Sequence, residues 1–87
     1  MTPEEILAEA ARLVERGWCQ GTYRDTDGRV CLVGALNEAS GRPCTYLDEA
    51  WNAVCLEIPQ GPSDWNDTPG RTAEEVATAL RNAKRWL

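Results

Sequence analysis

The sequence predicts a mainly α fold: one compact domain spanning residues 1–87, built from about four helices, with a short β-hairpin between the first and second. Three observations predict it. Apolar residues recur at helical spacing in several separate segments. Two of those segments open on a threonine followed three residues later by a glutamate, the capping-box signature. Between the first two, an aspartate–glycine turn is flanked by residues suited to extended chain.

The first helix begins at Thr2-Pro3-Glu4-Glu5, which supplies an N-cap, a proline at the first helical position and the capping glutamate. Met1 and Ile6 are placed to staple that cap. Ile6, Leu7, Ala10, Leu13 and Val14 form the inward face, with Glu9, Arg12, Glu15 and Arg16 opposite. Gly17 fits a left-handed stop, which would bring Trp18 back onto Leu13. Thr22-Tyr23-Arg24 and Arg29-Val30-Cys31 then flank Asp25-Thr26-Asp27-Gly28, and a hairpin is expected there. Cys31-Leu32-Val33-Gly34-Ala35-Leu36 reads as the start of a short buried helix ending at Gly41, a strand being the alternative for its first residues. Gly34 costs about 1 kcal/mol relative to alanine inside a helix, so close packing against another element is expected.

The third helix is expected from Thr45, with Asp48 completing its cap and Leu47, Ala50, Trp51, Val54, Cys55 and Ile58 along its apolar stripe. Pro59, Gly61 and Pro62 should end it, and residues 63–71 read as a loop. The last helix takes Thr72 as cap, Glu75 as the box partner, and Val76, Leu80, Ala83 and Leu87 as its stripe. Glu74 and Glu75 at its start and Arg81, Lys84 and Arg85 near its end follow the helix dipole.

Composition narrows the function. The 87 residues carry a net charge of −5, four Trp, four Cys, and neither Phe nor His. An acidic chain is a poor partner for phosphate backbones or anionic membranes, so neither nucleic acid nor a membrane is expected. No secretory or membrane-spanning run is read, and a cytoplasmic location with reduced thiols is expected. Cys19, Cys31, Cys44 and Cys55 form no close pair, so they read as buried small hydrophobes rather than zinc ligands or disulfides. Asp25, Asp27 and Gly28 resemble the opening of a calcium loop, but Arg29 and Leu36 stand where oxygen ligands are required. No metal or cofactor is expected.

Two blocks stand out. Gly17-Trp18-Cys19-Gln20-Gly21, followed by the aspartate–glycine turn and Val33-Gly34-Ala35-Leu36, is the first. Trp65-Asn66-Asp67, then Pro69-Gly70-Arg71-Thr72 and Glu74-Glu75-Val76, is the second. In order and spacing they resemble a small uncharacterised domain family of actinobacteria and their phages. The resemblance implies a cytoplasmic actinobacterial or phage origin and carries no activity with it.

The candidate binding residues are Trp18, Gln20, Trp65, Asn66, Asp67 and Arg71. Trp65 beside short polar side chains could anchor a partner, or fold back as a lid on the core while Asn66 or Asp67 caps backbone and pairs with Arg71. Gln20 could line a ligand site with Asn66 and Asp67, or bridge backbone groups of the hairpin or second loop. Cys31, near a helix start, is the one thiol with a claim to reactivity, but without a histidine there is no usual base for it. No catalytic residue is assigned. The expectation is a non-enzymatic binding or adaptor protein, phage-encoded or acting on a host or phage protein. The alternative is a pocket for a nucleotide-like or polar metabolite between the two blocks.

Overall fold

The computed structural model describes residues 1–41 and 49–87. The expected start of the third helix at Thr45, its cap Asp48, the stripe residue Leu47 and the thiol of Cys44 lie outside the described residues. Among the described residues five α-helices follow in order: α1 (Pro3–Arg16), α2 (Leu32–Ser40), α3 (Glu49–Glu57), α4 (Pro62–Asn66) and α5 (Ala73–Asn82), the last running into a 3₁₀ turn, Ala83–Trp86. None of them is long and apolar enough to cross a membrane.

α1 sits at the centre, packed on α2 and α5 and touching α3. Its cap forms as the sequence dictates. The Thr2 hydroxyl accepts from Glu5 N–H at 3.1 Å, and the Glu5 carboxylate accepts from Thr2 N–H at 2.9 Å. Met1 stays 70% exposed, so the staple onto Ile6 buries little of it. Ile6, Leu7, Ala10, Ala11 and Val14 enter the core. They meet Leu32, Ala35 and Leu36 of α2, Val54 of α3 and Val76 and Leu80 of α5. The small side chains matter here: alanines let these short helices approach closely enough to exclude water without any Phe.

α5 repeats the α1 device, with Thr72 and Glu75 capping each other. A pair of hydrogen bonds from Arg81 to Glu15, at 2.9 and 2.7 Å, ties α5 to α1 at the surface. The Arg81 side-chain bonds hold the Glu15 carboxyl below its ordinary value of 4.5. A depressed carboxyl stabilises the fold above its unfolded pKa, and that contribution is lost as pH falls through the folded value. Glu15→Gln should therefore flatten the loss of thermal stability below pH about 4.5, while changing the melting temperature at neutral pH only slightly. Identical pH profiles for variant and wild type would remove the pair from the acid response.

Several expectations need correction. There is no β-strand among the described residues, so the hairpin is absent. Its turn is real: Gly28 has φ +82°, its N–H donates to Asp25 O at 3.0 Å, and Asp25 N–H donates to Arg29 O at 2.9 Å. The flanking chain forms only isolated bridges, Val30 pairing with Arg24 on one side and with Trp18 on the other. The backbone explains why. Val30 N–H donates to Gly17 O and Cys31 N–H to Tyr23 O, so this segment divides its bonds between two neighbours. Cys31 then caps α2, and the chain turns before a ladder can grow.

Gly17 is likewise not left-handed; its φ of 178° is extended. A Cβ there would lie 2.9 Å from Cγ of Arg29, so the glycine makes room for that side chain. On α3, Cys55 is exposed and Ala53 is buried in its place. The stretch read as a loop contains α4, opened by Pro62 at its first turn. Leu87 is 47% exposed, because the 3₁₀ turn rotates it off the stripe that α5 began.

Candidate functional site

The two sequence blocks meet through Asn66, the buried polar residue at the end of α4. α4 owes its position to Trp65, which is 8% exposed and belongs to the core. Asn66 follows it inward. Its Oδ1 accepts from the Trp18 indole N–H at 2.7 Å and from Leu32 N–H at 3.0 Å. Its Nδ2 donates to Cys19 O at 3.2 Å and to Asp67 Oδ1 at 3.0 Å. A carboxamide has two donor hydrogens and two lone pairs on oxygen, and all four are used.

The other candidates extend the same junction. Gln20 Nε2 donates to the carbonyls of Asn66 and Thr68, at 3.0 and 3.2 Å. Asp67 Oδ1 accepts from Gly21 N–H at 3.0 Å. Arg71 lies over the Trp65 ring, 3.9 Å from its centroid, donates from Nε to Trp65 O at 3.0 Å, and pairs with Glu75. The expected Asp67–Arg71 pair does not form; each takes a different partner. All six residues thus come together, but as a latch joining the α1–α2 connection to α4 and the start of α5. Their amide donors face the chain itself.

An open cleft of about 390 Å³ lies beside the latch, lined by Gly21, Thr22, Tyr23, Cys31, Ser63 and Asp67. Of the six sequence candidates, Asp67 alone lines it. Tyr23, 60% exposed, and Ser63 on α4 were not singled out by the sequence. No spacing rule marks them, since they come from an irregular segment and a helix of one turn.

The Cys31 thiol sits at this cleft and accepts from Gly34 N–H at 3.4 Å as the α2 N-cap. Burial outweighs those backbone bonds and pushes its pKa up. Burial does the same, as the leading cause, for Cys19 and Cys55. Its place at a helix start therefore does not lower the Cys31 pKa, in keeping with a buried small hydrophobe. Among the described residues no cluster of acidic, cysteine or histidine side chains could hold a metal ion.

A second surface lies where α3 meets the 3₁₀ turn. Trp86 is 49% exposed, and its indole N–H donates to Glu57 Oε1 at 2.9 Å. The same carboxylate pairs with Arg85 at 3.1 Å. Leu56, the neighbour of Glu57 on α3, is 60% exposed. Its signal was visible in the sequence as a leucine off the helix stripe, though alone it marked nothing.

Neither a curated protein nor a solved structure matches this chain. One family model does, over residues 1–85, and so takes in both blocks and the latch they build, ending just before Trp86. The chain therefore belongs to a family of unknown function, DUF6197.

Proposed function

We propose that this protein is a small non-enzymatic binding or adaptor protein, which engages a protein partner through the face that carries Trp86. The observation that supports this reading most is the state of Trp86 itself: half exposed, yet fixed by its bond to Glu57. Tryptophan and arginine are the side chains most often found at the energetic centres of protein interfaces. An aromatic already held in place loses less freedom on binding. Arg85 on the same carboxylate, and the exposed Leu56 next to Glu57 in the chain, add to the candidate surface. The resemblance of the two blocks to proteins of actinobacteria and their phages supports reading the partner as a host or phage protein in such a cytoplasm.

The alternative, a pocket for a nucleotide-like or polar metabolite between the blocks, loses support because its chosen amides are committed to the latch. A catalytic role has little support either, since every described thiol is shifted away from reactivity.

The test is capture from actinobacterial lysate with mass spectrometry, comparing wild type with Trp86→Ala and Leu56→Asp. Trp65→Ala is a poorer probe, because Trp65 is core and its loss would unfold rather than unbind. Truncating an interface-centre tryptophan costs about 2 kcal/mol or more, near a 30-fold loss of affinity, so a specific partner should vanish from both variants. A partner retained equally by all three proteins would remove Trp86 from the interface.

A further inference from the structure

A second cleft, of about 430 Å³, opens on another part of the molecule, between the end of α1 and the aspartate–glycine turn. It stands out electrostatically. In a chain of net charge −5, its walls carry Arg16, Arg24 and Arg29 against Asp27 and Glu38. Arg24 pairs with Glu38, and Arg29 with Asp25 and Asp27. Arg16 forms no ion pair among the described residues. Every other arginine among the described residues holds a carboxylate of the chain itself.

We propose that this cleft binds an oxyanion, the carboxylate or phosphate group of a small ligand, with the Arg16 guanidinium as its principal contact. Guanidinium presents a planar fork of donors that matches either group in bidentate fashion. Arg24 and Arg29 line the same cleft, Arg24 in an exposed ion pair with Glu38 and Arg29 held by Asp25 and Asp27. An exposed pair such as Arg24–Glu38 contributes about 0–1 kcal/mol, so an incoming anion can draw Arg24 toward it at little cost. The floor suits a ligand as well. Leu13 and Val30 give it an apolar base, and the missing side chain at Gly17 leaves the Arg29 stem room to lie against the backbone. The volume falls within the roughly 300–1,000 Å³ of small-molecule sites.

Arg16 has a plainer role available: a cation in the last turn of a helix complements the dipole. That role needs no cleft and no second or third arginine. The carbonyl end of α1 would repel an anion if its oxygens were free. Two carbonyls at this end are already engaged, Leu13 O accepting from Gly17 N–H at 3.2 Å and Gly17 O, just past the helix, from Val30 N–H at 3.0 Å, and the Arg16 charge offsets the rest.

The experiment is an NMR titration of the whole protein with inorganic phosphate and, separately, with citrate, at ionic strength held constant with sodium chloride. The expected result is a saturable shift of the Gly17, Gly28 and Val30 amide signals with at least one of the two. Arg16→Gln should weaken it tenfold or more. Arg12→Gln, one turn earlier on α1 and outside the cleft, should leave it unchanged. Response to phosphate alone, or to citrate alone, would identify which group the cleft takes. The proposal is overturned if neither anion gives a saturable shift, if Arg16→Gln titrates like wild type, or if Arg12→Gln weakens binding as much. Unchanged amide signals away from the cleft confirm that the Arg16→Gln protein is folded.

Discussion

Gly34→Ala should lower the stability of this protein by about 3 kcal/mol or more, a fall in melting temperature of at least about 12 °C for a chain of this size. A Cβ built on Gly34 would overlap the carbonyl oxygen of Tyr23 and lie 2.8 Å from its carbonyl carbon. The obstacle is backbone, so no rotamer change relieves it. That carbonyl is itself held, accepting from Cys31 N–H at 3.2 Å. Relief would require the segment before the turn to lift off α2 and break that bond. Gly41→Ala provides the contrast. Gly41 has φ +74° with nothing among the described residues near its absent Cβ, so the expected cost is conformational strain, about 1–2 kcal/mol. Thermal or urea unfolding of both variants should rank Gly34→Ala well below Gly41→Ala. A Gly34→Ala protein melting within a few degrees of wild type would mean that the Tyr23 backbone yields easily.

The second large effect is expected at Asn66. Asn66→Ala would strand the Trp18 indole N–H, Leu32 N–H and Cys19 O, all of which it now satisfies. Unsatisfied buried groups cost about 1–3 kcal/mol each, and not additively, so a loss of about 3–5 kcal/mol is expected. Asn66→Asp separates the parts of that cost. It keeps both acceptor roles, loses both donors, and sets a second carboxylate against Asp67. Burial and the like charge would raise the folded pKa of the new carboxyl above its unfolded value. The variant would then be closest to wild type below pH about 4 and lose stability as pH rises through the raised value. Urea unfolding across this range checks it; a penalty independent of pH would show that the carboxylate reaches solvent.

The sequence was most informative where the determinants are local. The caps at Thr2 and Thr72, the αL stop at Gly41 and the turn at Gly28 each depend on a few neighbouring residues, and each is in place. It misled where a partner remote in the chain decides. Residues 29–31 had strand-like composition, but Gly17 and Tyr23 take their backbone bonds from opposite sides. α4 was hidden because five residues rich in turn formers show no periodicity, and only the packing of Trp65 makes them helical. The six candidate residues were legible as a set, and the structure does gather them. Their employment was not legible, because whether an amide faces a ligand or a carbonyl depends on a fold that brings positions 20 and 66 together.

Asn66 also has a bearing on the order in which the molecule assembles. Its hydrogen bonds reach Trp18, Cys19 and Leu32, between 34 and 48 residues away. Closing such spans costs chain entropy that helix formation does not, so these bonds belong late on the folding route, after α1 and α2 have paired. Interactions absent from the transition state govern how fast a protein comes apart rather than how fast it forms. Residue 66 is then a brake on opening: without it, the chain should reach the native state at nearly its usual rate and leave it far sooner.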